Sequence, residues 1–453
     1  MADPKDLRFT LRPVDECCRT GGARQHEPAV KAVDVRGFRL HEAAWPADDE
    51  DGQVPSLLAD VTPFPGVVTG AVRPSYVLLN PGPVLTSAAV KAALGVDVTH
   101  RDSDFTELLA GLQDKLCRVF QADRSRYSVV LLTGSGTGAA EATLSTFVPH
   151  GKKVLVVQNG AFGERMQEIA AIHGIDAAPL RYGWGEAVRP SEVEARLMAD
   201  PTLAAVAMVH HETSVGVLNP VRAVGEVAAR QGRLFFLDCI SSLGGEQLDV
   251  ERDHVDVAIA CGNKCLHSVS GLSFACVKRS VWKLIEGERP RSVYLDLRRY
   301  HHYQETLGQT PFTPAVAAAF ALDQALRELL AQGLDGRIEH YRILSAAMRR
   351  GLRALGLNIE NGHERGSHTL SCVTMPAGVA FDDLYVELKS AGYIVYNGKG
   401  AQAGRMFQIA NMGVLTVDHV RDFLPVLGEV LGRLRTRSEG AAPTHARPEV
   451  NHV

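Results

Sequence analysis

The sequence predicts an α/β protein: a mainly parallel sheet covered by helices on both faces, followed by a smaller α+β domain. Two observations carry this. Six short runs, 128–132, 153–158, 204–209, 234–238, 255–261 and 272–277, are apolar at nearly every position, and helical stretches such as 223–230 fall between several of them. Strands that are apolar on both sides must be buried on both faces, and alternation with helices supplies the covering layers. Beyond about residue 326 the order changes. A long helix after Pro314 runs through Leu330, a second covers 337–355, and then come strand 369–375, helix 382–391, strands 393–396 and 406–410, and a closing helix 417–434. The expected organisation is an N-terminal extension 1–75, a large domain 76–325, a smaller domain 326–435 and a flexible tail 436–453.

A chain of 453 residues with 45% hydrophobic and 22% charged residues can bury a large core, as two or three domains. The net charge of −4 gives no electrostatic case for nucleic acid or an anionic membrane. The eight cysteines lack metal-ligand spacing, and several sit in apolar runs, as reduced thiols in a cytoplasm do. Met1-Ala2-Asp3-Pro4 opens no signal-peptide core, and no apolar run has the length of a membrane span.

Taken in order, residues 1–75 are rich in charge and proline, with an acidic turn at 47–52 and no sustained period, so an irregular extension is expected. Strand 76–79 leads into the rigid turn Asn80-Pro81-Gly82-Pro83, and Thr86-Ser87 can cap a helix to Leu94. The polar loop 99–105 precedes an amphipathic helix to about Phe120. Strand 128–132 runs into Thr133-Gly134-Ser135-Gly136-Thr137-Gly138 and then a helix, the arrangement that aims backbone N–H groups at a phosphate. This turn lacks the lysine of a P-loop and the spacing of a dinucleotide fingerprint, so one phosphate fits it best. Strand 153–158 ends at Asn159-Gly160-Ala161-Phe162, where an aromatic at a strand end could lie against a flat ring or simply fill the core. His210-His211-Glu212-Thr213 follows the next strand; its two histidines have no third ligand at a metal spacing. Residues 291–309 look irregular, and Thr310-Pro311-Phe312-Thr313-Pro314 starts the long helix.

The chemistry centres on Lys264 and Asp238, each at or just past the end of a predicted buried strand and 26 residues apart (264 − 238), about one strand–crossover–strand unit. Alone, Lys264 would be a surface lysine and Asp238 a helix cap. Together at one sheet edge they are what pyridoxal 5′-phosphate requires: a carboxylate on the pyridinium nitrogen and an amine on the aldehyde.

These motifs resemble the class V aminotransferases of pyridoxal phosphate fold type I, and within that class most closely the 2-aminoethylphosphonate aminotransferases. The resemblance covers about 76–434 and rests on Leu79-Asn80-Pro81-Gly82-Pro83, Thr133-Gly134-Ser135-Gly136-Thr137, Asn159 to Arg165, His210-His211-Glu212-Thr213, Asp238 to Gly245 and Asn263-Lys264-Cys265. It implies a seven-stranded large-domain sheet, a Schiff-base role for Lys264 and a pyridinium partner in Asp238. It places Ser135, Gly136 and Thr137 on the phosphate, Phe162 against the ring, Thr213 near the ring hydroxyl, and Ser241 and Asn263 among the cofactor contacts. Thr313 would reach the phosphate of a neighbouring subunit, which implies a homodimer with shared active sites. A small amine and pyruvate are the implied partners, with Gly82, Arg101 and Gln408 around the substrate.

One position departs from the family. Phe407-Gln408-Ile409-Ala410-Asn411 carries a glutamine where the family has an arginine that grips the substrate anion. Losing such a clamp removes on the order of a few kcal/mol of substrate binding unless another group compensates. Arg101 is one substitute; Arg405, expected in the same strand, should point to its other face. The alternative is a different reaction on the same cofactor: elimination, decarboxylation or condensation. A non-catalytic scaffold fits poorly with Lys264 and Asp238 both present.

Overall fold

Residues 76–440 are described in this computed structural model; the expected extension 1–75 and residues 441–453 lie outside the described residues. The chain opens with β1 (Val77–Leu78) and α1 (Ala88–Ala92), whose first turn is capped by Ser87 Oγ accepting from Val90 N at 3.1 Å. Asp102 caps α2 (Ser103–Val119), its Oδ1 accepting from Ser103 N at 2.6 Å. Then come β2 (Tyr127–Thr133), α3 (Gly136–Phe147), β3 (Lys153–Gln158), α4 (Ala161–Ile172), β4 (Asp176–Arg181), α5 (Pro190–Ala199) and β5 (Leu203–Val209). A small ribbon, β6 (His211–Glu212) and β7 (Val217–Leu218), precedes α6 (Val221–Arg230), β8 (Leu234–Asp238), β9 (Val257–Cys261) and β10 (Leu272–Lys278).

Seven of these strands form one sheet in the order β2-β10-β9-β8-β5-β3-β4. All pair in parallel except β10, which runs antiparallel to both β2 and β9. The expected mainly parallel architecture is therefore present. Alternate residues of β2 feed opposite layers: Val129 and Leu131 pack with Phe105, Leu109 and Leu112 of α2, whereas Val130 and Leu132 pack with Ala139, Leu144 and Phe147 of α3. Since β2, β9, β8, β5 and β3 share one direction, their carboxyl ends lie along one edge. The segments 133–137, 262–264, 238–241, 210–214 and 159–162 are gathered there.

The strand that the apolar runs do not announce is β4. Its Pro179 and charged ends are tolerated because it is an edge strand, where a missing N–H leaves no ladder bond broken.

After α7 (Arg279–Leu284), the segment expected to be irregular contains an eleven-residue helix, α8 (Leu297–Leu307). Asp296 accepts from Arg298 N at its start, and Gly308 ends it at φ 62°, a conformation that favours glycine. Its buried face is Leu297, Tyr300 and Gln304, and the polar third member hides the helical period. Gln304 has a structural task. Its Nε2 donates to Leu131 O at 2.6 Å and its Oε1 accepts from Leu131 N at 2.9 Å, so one side chain pairs the open edge of β2 as a strand would.

The rest is α9 (Val316–Gln332), α10 (Leu334–Ala354), β11 (Leu370–Thr374), α11 (Phe381–Ser390), β12 (Tyr393–Ile394), β13 (Tyr396–Asn397), β14 (Met406–Ala410) and α12 (Val417–Gly440). The closing helix thus runs into the region expected to be a tail. β11, β14 and β13 form an antiparallel sheet over a core of Leu344, Met348, Leu384, Phe423 and Leu427. The N-terminal β1 joins this smaller part: it pairs in parallel with β12, and Ala410 N donates to Leu79 O at 2.7 Å. The turn 80–83 is therefore anchored on one side to β12 and β14. Six described cysteines, including Cys261 and Cys265 beside Lys264, are free and buried. Among the described residues, no helix is long and apolar enough to cross a membrane.

Replacing Gln304 with Ala leaves two buried backbone groups of Leu131 without partners. The apparent unfolding free energy in urea should fall by about 3 kcal/mol; a change below about 0.5 kcal/mol would mean that the edge of β2 needs no such pairing.

Candidate active site

The edge where the parallel strands end opens into a cavity of about 430 Å³, a size suited to a small ligand. Lys264 enters it from the turn after β9. That turn is fixed by Gly262 N donating to Leu272 O at 3.2 Å and His267 N donating to Lys264 O at 3.0 Å. The lysine Nζ donates to Pro81 O at 2.5 Å. Burial pushes its pKa below the ordinary lysine value, and the positive charge of Arg165 adds to the effect, while Cys261, Cys265 and Asp238 oppose it. The amine is thus shifted toward the neutral, nucleophilic form. Gly82 lies against it. A Cβ there would fall 2.6 Å from Lys264 Cδ and 2.7 Å from Nζ, and its φ of 117° is already one that side chains avoid.

Asp238 ends β8 and is 7% exposed. One carboxylate oxygen accepts from Ile240 N at 2.9 Å. Burial raises its pKa from 3.8 to about 7, the Ile240 N–H opposes that, and the nearby carboxylate of Glu212 adds to it. A carboxylate in this state gains from a cationic N–H partner. Ser135 caps α3, accepting from Gly138 N at 3.4 Å, so Ser135, Gly136 and Thr137 present the amide end of a helix to the cavity. Gly136 is required by close approach, since a Cβ would meet Ile240 Cδ1 at 2.6 Å.

Phe162 lines the cavity from the first turn of α4. That turn is held by Glu212, a fully buried carboxylate from β6. Glu212 accepts from Phe162 N at 3.2 Å, Gly163 N at 3.1 Å and Ser214 Oγ at 2.5 Å, and burial raises its pKa against the pull of these donors. Gly160 leaves room for it, since a Cβ there would stand 2.4 Å from Glu212 Cγ.

Of the residues expected at the site, Ser135, Gly136, Thr137, Phe162, Asp238, Ser241, Asn263 and Lys264 line this one cavity, and Gly82 touches the lysine. Thr213 is buried behind it, and its carbonyl accepts from Gln408 Nε2 at 2.6 Å. Gln408 is fully buried and its amide ties strand β14 to the 213–214 turn, away from the cavity lining. Arg101 is exposed and donates to Gln309 Oε1 at 2.5 Å, and it does not line the cavity. Arg405 precedes β14 and is exposed, so it lies outside the strand in which it was expected. Thr313 is exposed in the loop before α9.

The lining residues not assigned a role in advance include Arg165, His211 and Ile240. His211 was set aside as an incomplete metal motif. Its Nδ1 lies 3.2 Å from Ser241 O, and burial lowers its pKa to about 4, which keeps the ring neutral. Glu212 was equally hidden, although a glutamate just after an apolar run is the kind of residue that must find buried donors.

A desolvated lysine, a carboxylate in need of a cation, a helix amide end and an aromatic face surround one space of small-molecule size. Pyridoxal phosphate fits that donor set. Comparison with known proteins agrees. The family model described as aminotransferase class-V matches residues 84–415. Over 346 residues the chain is 36% identical to the 2-aminoethylphosphonate–pyruvate transaminase of Salmonella paratyphi B, covering 75% of this chain and 93% of that protein. It is 33% identical over 341 residues to an uncharacterized aminotransferase of Methanocaldococcus jannaschii, covering 74% and 88%. Among solved structures it is similar to alanine–glyoxylate aminotransferase from Nostoc sp., with TM-score 0.76, 29% identity and 79% and 96% of the two chains covered. Ureidoglycine–glyoxylate aminotransferase from Bacillus subtilis gives TM-score 0.75 and 27% identity, with 80% and 94% covered.

The Asp238 shift predicts a pH signature. Its folded value of about 7 stands above the ordinary 3.8, so the stability it contributes is full below pH 3.8 and is lost as pH rises toward 7. In cofactor-free protein, Asp238→Asn should therefore gain stability over the wild type progressively across that window, read as paired urea midpoints. A difference constant with pH would contradict the burial of this carboxylate.

Proposed function

The chain belongs to the aminotransferase class-V family, and from that premise we propose that it moves the amino group of 2-aminoethylphosphonate, or a closely similar small amine, to pyruvate on pyridoxal phosphate. The observation that supports the substrate most is the 36% identity spanning 93% of a protein of that named activity.

The residues have distinct tasks under this reading. Bound pyridoxal phosphate would supply a carbonyl carbon to carry the amino group and a ring to accept electrons. Ser135, Gly136 and Thr137 would hold its phosphate with α3 amides and hydroxyls, and Phe162 and Ile240 offer apolar surface for its ring. Asp238 would keep the ring nitrogen protonated, with Ile240 N fixing the carboxylate's orientation. Ser241 and Asn263 stand in the same lining, and Thr213 is buried next to Glu212.

Lys264 carries the proton traffic. Once the substrate amine has taken its place, its neutral Nζ can accept a proton from the substrate's amino-bearing carbon and deliver it to the carbon that receives the amino group. Pro81 O accepts one of its hydrogens and so directs the lone pair, and Gly82 leaves the space the side chain needs to swing. The products of this exchange would be phosphonoacetaldehyde from the amine and alanine from pyruvate. We propose that two copies assemble, with the exposed Thr313 reaching the partner's phosphate site.

Mixing enzyme, pyridoxal phosphate, 2-aminoethylphosphonate and pyruvate should form phosphonoacetaldehyde and alanine in equal amounts. Lys264→Ala should lower the rate by roughly a thousandfold or more. Wild-type turnover by Lys264→Ala would contradict the mechanism, and alanine formation from other amines alone would contradict the substrate.

A further inference from the structure

We propose that Arg165 and Lys399, which meet over the ring of Phe162, hold the anionic head group of the amine substrate in place of the arginine that position 408 lacks. The proposal rests on the transaminase reading above and names the side chains that select its substrate.

Position 408 cannot do this work. Gln408 is neutral, fully buried and already donating to Thr213 O at 2.6 Å. A phosphonate, however, brings a charge that needs cationic partners inside a cavity. Arg165 lines that cavity, with its guanidinium carbon 4.8 Å from the Phe162 ring centre. The Nζ of Lys399 stands 5.2 Å from the same ring centre. Cation–π attraction thus holds both charges against the same ring. Among the described residues neither makes an ion pair; Arg165 has a hydrogen bond of 3.4 Å to Thr137 Oγ1. Of the buried carboxylates nearby, Glu212 is occupied by the amides of α4 and Asp238 accepts from Ile240 N. Burial pushes the Lys399 pKa down, and the charges of Arg165 and Lys264 push it the same way. Two like charges gathered without an anion are strained electrostatically, and a dianion relieves that strain.

Lys399 is brought there by a built loop. Gln402 N donates to Lys399 O at 2.9 Å, Gly404 N to Asn397 Oδ1 at 2.9 Å, and Gly398 N to Met406 O at 2.9 Å. Gly400 presses on Trp184, 2.9 Å from its ring for an added Cβ, and Trp184 Nε1 donates to Glu164 Oε1 of α4 at 2.8 Å. This loop joins β13 to β14, the strand that carries Gln408. The smaller domain thus still supplies the cation, from a loop instead of a strand. The arginine's planar fork and the lysine's point charge together offer donors for three phosphonate oxygens.

The test uses holoenzyme and a probe that cannot react, methylphosphonate, with binding read by calorimetry. Lys399→Met should weaken methylphosphonate by about tenfold to a hundredfold, and raise KM for 2-aminoethylphosphonate similarly. The kcat and the affinity for pyridoxal phosphate should hold, and Lys399→Arg should restore most of the binding. Equal methylphosphonate affinity in the wild type and Lys399→Met would overturn the proposal. So would a loss confined to pyridoxal phosphate affinity, which would place the cations on the cofactor's phosphate. Loss of methylphosphonate binding in Lys399→Met, with no turnover of 2-aminoethylphosphonate by the wild type, would keep the anion site and remove the transaminase reading.

Discussion

The part-buried contact between Lys264 Nζ and the carbonyl of Pro81 is the constraint on which the rest of the site depends. An amine taken out of water loses part of its charge, and a backbone carbonyl can satisfy one of its hydrogens without restoring that charge. The lysine comes from the large-domain sheet. The carbonyl comes from a turn that β1 pins to β12, and that the Ala410–Leu79 hydrogen bond pins to β14. Both the β9 turn and the β1–β12 pairing must therefore be in place for the lysine to be held. The same contact explains Gly82, whose missing side chain is the space the lysine occupies.

A second layer of buried polar groups fixes the walls. Glu212 is the main example: a carboxylate with no exposure that gathers three donors and locks the first turn of α4, which in turn presents Phe162 and Arg165. Gln408 acts similarly on the next turn of chain through Thr213 O. Gln304 does so at the sheet edge. Each of these side chains substitutes for backbone pairing where the ladder or helix ends, and this lets irregular segments sit still at the carboxyl edge of the sheet.

The large-domain sheet was legible because its strands are buried on both faces and so read as unbroken apolar runs. What stayed hidden had a physical reason in each case. β4 is an edge strand and carries a proline that an inner strand would reject. α8 uses Gln304 on its inner face, which breaks the apolar period. Lys264, Asp238 and the 133–138 turn were legible because chemistry demands those types at strand ends. Arg165 and Lys399 were not, since they lie far apart in the chain and only the folded loop over Trp184 brings both to the Phe162 ring. The departure at Gln408 was visible in the sequence; that its amide is spent on Thr213 was not.

We propose that Lys264 yields its place to a phosphonate amine and that a keto acid reverses the exchange. The most direct measurement is an absorbance titration of the wild-type holoenzyme with 2-aminoethylphosphonate, with no keto acid present. The cofactor band should convert fully to that of its amine form and return when pyruvate is added. A coloured holoenzyme whose band 2-aminoethylphosphonate leaves unchanged would contradict the claim.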